Sequence, residues 1–253
     1  MTEQSGGTMI HRTEDIRLDT VGKPLPGIEI KVSDEGELLF RGDTIFKGYY
    51  KEPGATEKAL RDGWFHTGDA AIIDEDGQVI IIDRMSDVMK LVDGGKFSPQ
   101  LIENKLKFSP YIIDALVIGQ DEPFITAMIN IDMNNVGKWA ENNQVPYTTF
   151  TDLSQKDRVY DLIEKEVVKI NQTLPKVAQV KRFVLLYKEL DADDEELTRT
   201  RKVRRKFVAE KYKHLIDALY SDEKELEVEL HIRYRDGKEF LMKTKVKVKH
   251  VGA

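Results

Sequence analysis

Cysteine is absent from the 253-residue sequence, which excludes disulfide bonds and thiolate chemistry. Long apolar runs are missing too: the uninterrupted ones, such as 79–82 and 115–118, fall far short of the roughly 20 residues that a transmembrane helix requires. The first 20 residues are polar and lack the apolar core of a signal peptide. We therefore expect no transmembrane segment and a cytoplasmic location.

An excess of positive charge is also lacking. The net charge is -6, which argues against a nucleic-acid partner. Hydrophobic residues make up 40% and charged residues 33% of the sequence, as in an ordinary globular protein. The length allows one large domain or two modest ones.

The segment 21–84 is dominated by strand patterns. Residues 28–32 alternate apolar and polar side chains, and an Asp-Gly turn separates two apolar runs in 70–82. A short helix is predicted at 56–60, with Thr56 as a candidate cap. These patterns indicate a β-rich piece over residues 1–84.

The pattern changes after Asp83. Ser98 and Pro99 resemble a helix cap followed by proline at the first helical position, which predicts a helix to about Lys107. Amphipathic spacing and apolar runs predict a mixed set of further elements, and the mixture indicates a compact α+β domain over residues 87–253. These elements are strands at 111–119, 125–131 and 180–187, and helices at 136–142, 155–174 and 200–220.

The last segment is predicted to form a β-hairpin. A three-residue loop at 235–237 supplies glycine where a left-handed backbone is needed. The predicted register sets opposite charges directly across the two strands. It pairs Ile232 with Phe240, Leu230 with Met242, Glu229 with Lys243, and Glu227 with Lys245.

Two motifs near the change of pattern carry candidate chemistry. In 63–69, Asp69 follows a Thr-Gly pair and could accept hydrogen bonds from two sugar hydroxyls, or could simply hold its own turn. The polar stretch 83–87 is typical of a hinge. Its Arg84 could bind a ribose or phosphate, or form an exposed salt bridge.

Two further motifs lie in the second part of the sequence. The glycine pair in 92–96 would allow a ligand to approach the backbone closely, or would be an ordinary loop. The basic run 197–206 follows an acidic stretch. It is either a solvated helix start, a loop that directs a lysine to phosphate, or a nucleic-acid patch without an interleaved aromatic platform.

Taken in order, these motifs resemble the adenylate-forming superfamily, and within it the long-chain fatty acyl-CoA synthetases. Residues 39–53 are similar to the family's strand-and-loop segment, and 63–69 to its ribose-binding motif. The stretch 83–90 resembles its hinge, and 197–205 its Leu-Thr-Pro-Thr-Gly-Lys motif. Met1-Thr2-Glu3 matches the end of its Tyr-Gly-x-Thr-Glu motif.

The resemblance implies a two-step reaction. ATP and a fatty acid form an acyl-adenylate, the C-terminal domain rotates, and the thiol of CoA then displaces AMP. It also implies roles for individual residues: Thr2 at the AMP phosphate, Glu3 at Mg²⁺, Asp69 and Arg84 at the ribose, Ser86 in a hinge at 84–86, Lys202 as the catalytic lysine of adenylation, and Gly94, Gly95 and Lys96 near CoA.

The sequence also departs from the family pattern. Ser86 stands where members often carry Lys or Asp, Arg199 where they carry Pro, and Arg201 where they carry Gly. The Ser/Thr/Gly-rich phosphate loop and most of the acyl-binding domain are absent from the sequence. The resemblance therefore implies a β-rich remnant of the large domain's barrel-like subdomain followed by a mobile α+β domain, inactive alone, with the N-terminal AMP-binding half as its partner.

Other interpretations stay open at this point. The chain could be a non-enzymatic binding or regulatory domain, or an adenylating enzyme that loads an acyl carrier protein. The β-rich piece is expected to expose apolar surface, which leaves open self-association and peripheral contact with a membrane.

Overall fold

The computed structural model describes residues 1–18, 20–233 and 239–252. The chain divides into two compact units, Met1–Val88 and Met89–Ala253. Both mix helices and strands, which confirms the predicted α+β class. None of the helices in the described ranges combines the length and apolar character that crossing a membrane demands.

The first unit is built on a five-stranded antiparallel sheet. Its strand order is β3-β4-β6-β5, and β7 pairs with β6. The apolar faces of these strands enclose one small core around Leu38, Phe40 and Phe65. The elements are β1 (Met9–Ile10), β2 (Lys23–Pro24), β3 (Glu29–Val32), β4 (Glu37–Arg41), α1 (Pro53–Ala59), β5 (Leu60–Arg61), β6 (Trp64–Ile73) and β7 (Val79–Arg84), after a 3-10 turn at Thr2–Gln4.

The predicted hairpin around the Asp-Gly turn forms as β6 and β7. The Asp74 carboxylate accepts hydrogen bonds from the backbone N–H groups of Asp76 and Gln78, which fixes the turn. The helix predicted at 56–60 begins earlier, because Pro53 supplies its first turn. Thr56 is therefore inside the helix and is not its cap, so that prediction was wrong.

The second unit is organised around a four-stranded mixed sheet with the order β10-β11-β12-β15. The central β11 is parallel to β12 and antiparallel to β10, and all seven of its residues are buried. Its elements are β8 (Met89–Lys90), β9 (Lys96–Phe97), α2 (Pro99–Leu106), β10 (Ile112–Ile118), β11 (Ile125–Ile131), α3 (Met133–Asn142), α4 (Phe150–Ser154), α5 (Asp157–Asn171), β12 (Val180–Leu185), α6 (Arg205–Lys211), α7 (Lys213–Tyr220), β13 (Glu225–Arg233), β14 (Glu239–Lys247) and β15 (Lys249–His250), with a 3-10 turn at Lys176–Ala178.

Both faces of this sheet are covered, which explains why β11 carries no polar alternation. On one face, Val117 and Ile129 join the helices α2, α3 and α5 in the larger core. On the other, Leu116 and Met128 pack with α6, α7 and the terminal hairpin. The helix α2 starts as predicted: the Ser98 hydroxyl accepts the N–H of Leu101, and proline follows at the first helical position.

The single helix predicted at 200–220 is wrong. The structure has α6 and α7 separated at Tyr212, whose φ of -103° and ψ of 24° leave the helical region. Tyr212 is buried, and its hydroxyl donates to Glu196 at 2.8 Å. This tertiary contact accompanies a break that the continuous apolar stripe of the sequence conceals.

The terminal hairpin has the predicted register. Strand β13 pairs with β14 so that Ile232 faces Phe240, Leu230 faces Met242, Glu229 faces Lys243 and Glu227 faces Lys245. The predicted loop at 235–237 lies outside the described residues. Lys243 contacts both Glu227 and Glu229 at 3.2 Å, whereas Lys245 contacts Glu225 at 3.3 Å.

Each unit contains one of the two tryptophans, and each indole lies beside a cation. In the first unit, Trp64 is approached by Lys31 at 4.3 Å and Arg41 at 4.6 Å from the ring centroid. In the second, Arg158 lies 5.9 Å from the ring of Trp139.

Candidate functional site

Residues 64–69 of the motif 63–69 lie in strand β6, and Gly63 lies in the turn before it. The pairing of β4 with β6 shifts register, from Leu39 opposite His66 to Glu37 opposite Ala70, so residues 67–69 form a bulge. The Glu37 carboxylate fills it, with Oε1 accepting the Gly68 N–H at 2.8 Å and Oε2 lying 2.8 Å from His66 Nδ1. The bulge sets the position of Asp69.

Asp69 and Arg84 lie opposite each other on β6 and β7. Arg84 Nη1 is 2.9 Å from Asp69 Oδ1 and also donates to the carbonyl of Thr67 at 3.2 Å. Burial raises the pKa of Asp69, the Arg84 guanidinium acts against it, and the Glu37 carboxylate adds to the rise. The two residues that the sequence singled out separately therefore form one ion pair.

Thr2 and Glu3 lie in the first 3-10 turn, in the same unit. Glu3 Oε1 accepts a hydrogen bond from the Tyr49 hydroxyl at 3.1 Å, and its carbonyl accepts the Phe46 N–H at 2.8 Å. The turn is thus fixed against the loop of the 39–53 motif. Among the described residues, no cluster of three or more metal-binding side chains surrounds it.

Ser86 lies in the turn that follows β7. Its hydroxyl donates to Asp87 Oδ1 at 3.0 Å, and the Val88 N–H donates to the carbonyl of Arg84 at 3.2 Å. The predicted hinge at 84–86 therefore starts at the last residue of β7 and precedes the end of the first unit by two residues. Its mobility stays a prediction.

Gly94 and Gly95 form the tip between β8 and β9 in the second unit. Gly94 has a φ of +86°, and a Cβ there would meet no atom within 4 Å. A Cβ on Gly95 would lie 2.4 Å from Val177 Cγ2. The two glycines thus have different purposes: one allows the turn, and the other allows close packing. Lys96, the third predicted residue, is exposed at the start of β9.

Lys202 lies in a loop closed by an isolated β-bridge between Leu197 and Val203. Inside it, Thr198 N–H donates to the Lys202 carbonyl at 2.8 Å, and Lys202 N–H donates to Thr198 Oγ1 at 3.0 Å. The lysine side chain is exposed, and within the described ranges no partner of its ammonium is found. The loop thus holds the backbone of Lys202 and leaves its charge available.

Arg201, which stands where the family carries glycine, has a φ of +58°. The backbone therefore adopts the left-handed conformation that glycine would favour, in spite of the side chain. The turn therefore has a left-handed, non-glycine residue directly before Lys202.

Within the basic run 197–206, Arg205 is held by the fold and is not a solvated side chain. Its Nη1 donates to the Val117 carbonyl at 2.7 Å, and its Nη2 donates to Glu103. Burial raises the pKa of Glu103, although Arg205 acts to lower it. Arg204, in contrast, is 44% exposed and lies near Glu195 at 3.7 Å.

Sequence reasoning missed Glu196, whose side chain is completely buried next to the Lys202 loop. It stands in the acidic run 191–196, where nothing in the residue types separates it from its solvated neighbours. Only its position could have indicated burial. Glu196 directly precedes the apolar Leu197, and a lysine and a tyrosine that could bind its carboxylate stand together at 211–212.

The chain matches a known enzyme family through that family's C-terminal domain. The model of the AMP-binding enzyme C-terminal domain covers residues 86–224. Long-chain-fatty-acid–CoA ligase FadD15 of Mycobacterium bovis is 36% identical over 224 residues, which is 88% of this chain and 37% of the relative. Long chain acyl-CoA synthetase 2 of Arabidopsis thaliana is 30% identical over 242 residues, covering 88% and 36%.

Solved structures share the fold. Apo MatB from Rhodopseudomonas palustris matches with a TM-score of 0.55 and 24% identity, over 85% of this chain and 40% of that one. The adenylation domain of a carboxylate reductase from Mycobacterium chelonae matches with a TM-score of 0.53 and 20% identity, over 79% and 32%. The chain spans little more than a third of the length of the curated relatives it matches.

Proposed function

Because this chain belongs to the AMP-binding, adenylate-forming enzyme family, through that family's C-terminal domain, we propose that it takes part in the ligation of long-chain fatty acids to CoA. The observation that carries the proposal is the Lys202 loop, which fixes the backbone of the lysine and leaves its ammonium exposed. The names of the curated relatives support the substrate class.

In this proposal Lys202 acts in the first half-reaction. Attack of the fatty-acid carboxylate on the α-phosphorus of ATP forms the acyl-phosphate bond and releases pyrophosphate. Negative charge gathers on the phosphate and carboxylate oxygens in the transition state, and a lysine ammonium stabilises it. In the second half-reaction the CoA thiol attacks the acyl carbon, its proton leaves to solvent, and AMP departs.

Asp69 and Arg84 are proposed to hold the nucleotide. Arg84 occupies Oδ1 of Asp69, while Oδ2 has no hydrogen-bond partner within the described part of the chain. A carboxylate oxygen is an acceptor suited to ribose hydroxyls. Thr2 is proposed to contact the AMP phosphate from the 3-10 turn at Thr2–Gln4.

Glu3 fits a magnesium ion held jointly by protein and substrate. Its Oε1 is engaged by Tyr49 at 3.1 Å, which orients the carboxylate, and Mg²⁺ commonly binds one or two carboxylates together with substrate phosphates. When bound, the ion neutralises phosphate charge. The loop at Gly94, Gly95 and Lys96 is proposed to approach CoA, with Ser86 in the hinge that reorients the second unit.

A chimera tests the proposal. In it, this chain replaces the aligned 37% of the Mycobacterium bovis ligase. We expect fatty-acid-dependent exchange of pyrophosphate into ATP and formation of acyl-CoA, whereas this chain alone should give no exchange. A folded chimera without exchange would overturn the proposed part in ligation. Exchange by this chain alone would overturn the expectation that it is inactive by itself.

The acceptor is tested in the same assay. Transfer to a pantetheinylated carrier protein in preference to CoA would favour the carrier-loading alternative. A chain that binds neither nucleotide nor CoA in the chimera would favour the non-enzymatic alternative.

A further inference from the structure

A buried carboxylate lies at the base of the Lys202 loop. The side chain of Glu196 is 0% exposed. Removing a carboxylate from water costs several kcal/mol unless cations and hydrogen bonds compensate. A charge in this position therefore requires a set of partners around it.

The partners saturate both oxygens of Glu196. Oε1 is 2.8 Å from Lys211 Nζ and accepts the Tyr212 hydroxyl at 2.8 Å. Oε2 is 3.0 Å from Lys188 Nζ and accepts the Asp191 N–H at 2.9 Å. Burial acts to raise the pKa of Glu196, but these donors outweigh it and hold the pKa below its usual range.

The donors come from two separate parts of the chain. Lys188 and Asp191 follow β12, Lys211 ends α6, and Tyr212 stands at the break before α7. The Glu196 side chain therefore ties together the segments that enter and leave the loop.

The main chain of Glu196 closes the neck of the loop. Its carbonyl accepts the Arg204 N–H at 2.9 Å, next to the bridge between Leu197 and Val203. The side chain fixes the neck to the domain, and the main chain fixes the two ends of the loop to each other. The side-chain and main-chain contacts of Glu196 together set the direction in which the Lys202 side chain projects into solvent.

We propose that Glu196 is the positioning residue for Lys202: its buried carboxylate holds the neck of the 197–203 loop so that the lysine is presented in one orientation. The functional part of this inference rests on the role proposed above for Lys202. The structural part, anchorage of the loop, stands independently of it.

Asp194 supplies a matched control. It contacts the same two lysines, pairing with Lys188 and lying 3.6 Å from Lys211. Its side chain is 51% exposed, however, and it lies outside the neck. If general attraction between acids and lysines held the loop, Asp194 would matter as much as Glu196.

Limited trypsin digestion of the intact chain tests anchorage. The loop offers cleavage sites at Arg199, Arg201 and Lys202. In Glu196→Gln the amide would direct a donor at other donors, and cleavage in the loop should accelerate about tenfold, as expected when a charged hydrogen bond is lost. Asp194→Asn should change it less than about twofold. Cleavage at Lys165 and Lys169 in α5 serves as the internal reference.

Two results would overturn anchorage: an unchanged loop rate in Glu196→Gln, or equal acceleration in the loop and in α5. The second would mean that Glu196 stabilises the whole unit. Tyr212→Phe, which removes one donor and keeps the ring, should accelerate loop cleavage alone.

The chimera tests the positioning role. Glu196→Gln should lower kcat of adenylation about tenfold and leave KM for ATP within about twofold, since a displaced lysine affects the transition state more than substrate binding. Thioester formation from supplied acyl-adenylate should not change. A rise in KM without loss of kcat would contradict positioning. If Lys202→Ala leaves adenylation intact, the proposed function fails instead, while digestion still decides anchorage.

Discussion

Arg84 and Asp69 face each other across β6 and β7, with Nη1 of the arginine 2.9 Å from Oδ1 of the aspartate. The Asp69 side chain is 17% exposed and that of Arg84 is 58% exposed. The arginine thus orients a carboxylate that is largely withdrawn from water.

This pair gives the first prediction. In the chimera, Asp69→Ala should raise KM for ATP about tenfold or more, since a carboxylate hydrogen bond to a ligand is typically worth about 1.5–3 kcal/mol. Arg84→Ala should have a smaller effect of the same sign, because the carboxylate remains but loses its orientation. Steady-state kinetics with varied ATP measure both. Arg41→Ala, which removes an exposed partner of Glu29, is the control and should leave KM unchanged.

The second prediction concerns Lys202 itself. Lys202→Ala should slow adenylation on the order of a hundredfold, or about 3 kcal/mol, as for loss of one donor to a developing anion. Thioester formation from supplied acyl-adenylate should stay nearly intact. Arg204→Ala, which removes an exposed cation from the end of the same loop, should have little effect. Equal slowing of both half-reactions by Lys202→Ala would show that the loop acts through folding or overall charge.

The third prediction compares how much two neighbouring arginines contribute to the free energy of unfolding. Arg205→Ala should lower the free energy of unfolding by about 2 kcal/mol, less than the roughly 3–5 kcal/mol of a fully buried pair, because its side chain is 33% exposed. It removes the guanidinium donors of Glu103 and of the Val117 carbonyl, and leaves Glu103 with the Val117 N–H at 2.8 Å. Arg204→Ala should cost at most about 1 kcal/mol. Urea unfolding followed by circular dichroism gives both values, and equal losses would contradict the assignment.

The fourth prediction uses the two adjacent glycines. Gly95→Ala should destabilise the second unit by about 1–3 kcal/mol, since the new methyl group meets Val177 Cγ2. Combining it with Val177→Ala should recover most of that loss. Gly94→Ala should cost about 1–2 kcal/mol through its positive φ alone, and Val177→Ala should not rescue it. Rescue of both, or of neither, would contradict the packing argument.

The fifth prediction is a pH dependence. Because the pKa of Glu196 is lowered on folding, its ionised form stabilises the folded state above the ordinary value of 4.5. That contribution should be lost as the pH falls from 4.5 toward the lowered folded-state pKa. Urea unfolding at pH 7 and pH 4 should show a smaller loss of stability in Glu196→Gln than in the unaltered chain. An equal loss would show that other groups dominate acid unfolding.

Local chemistry made much of the fold predictable. Strand β11 has the bounds predicted from its apolar run, and the register of β13 with β14 follows from alternation and turn length. The helix break at Tyr212 could not be predicted, because the apolar stripe continues across it and only a contact with Glu196 marks the position.

The candidate site, too, could be predicted only in part from the sequence. Asp69 and Arg84 stand in recognisable motifs, but their pairing depends on a bulge filled by Glu37, which lies 32 residues earlier in the sequence than Asp69. Likewise, Arg205 belongs to a basic run that suggests solvent exposure, whereas a partly buried glutamate on α2, Glu103, holds it. Contacts between residues far apart in the sequence determine the partners of these side chains, and the local periodicity of the sequence gives no information about such contacts.

The placement of the two indoles provides a separate optical reporter for each unit. Trp64 has Lys31 and Arg41 beside its ring, and Trp139 has Arg158. In a Trp64→Phe variant, fluorescence follows only the second unit, and in Trp139→Phe only the first. Since each unit encloses its own apolar core, the two emission signals should change at different denaturant concentrations. The cooperativity between the halves of this chain thus becomes a quantity that two single-fluorophore titrations can measure.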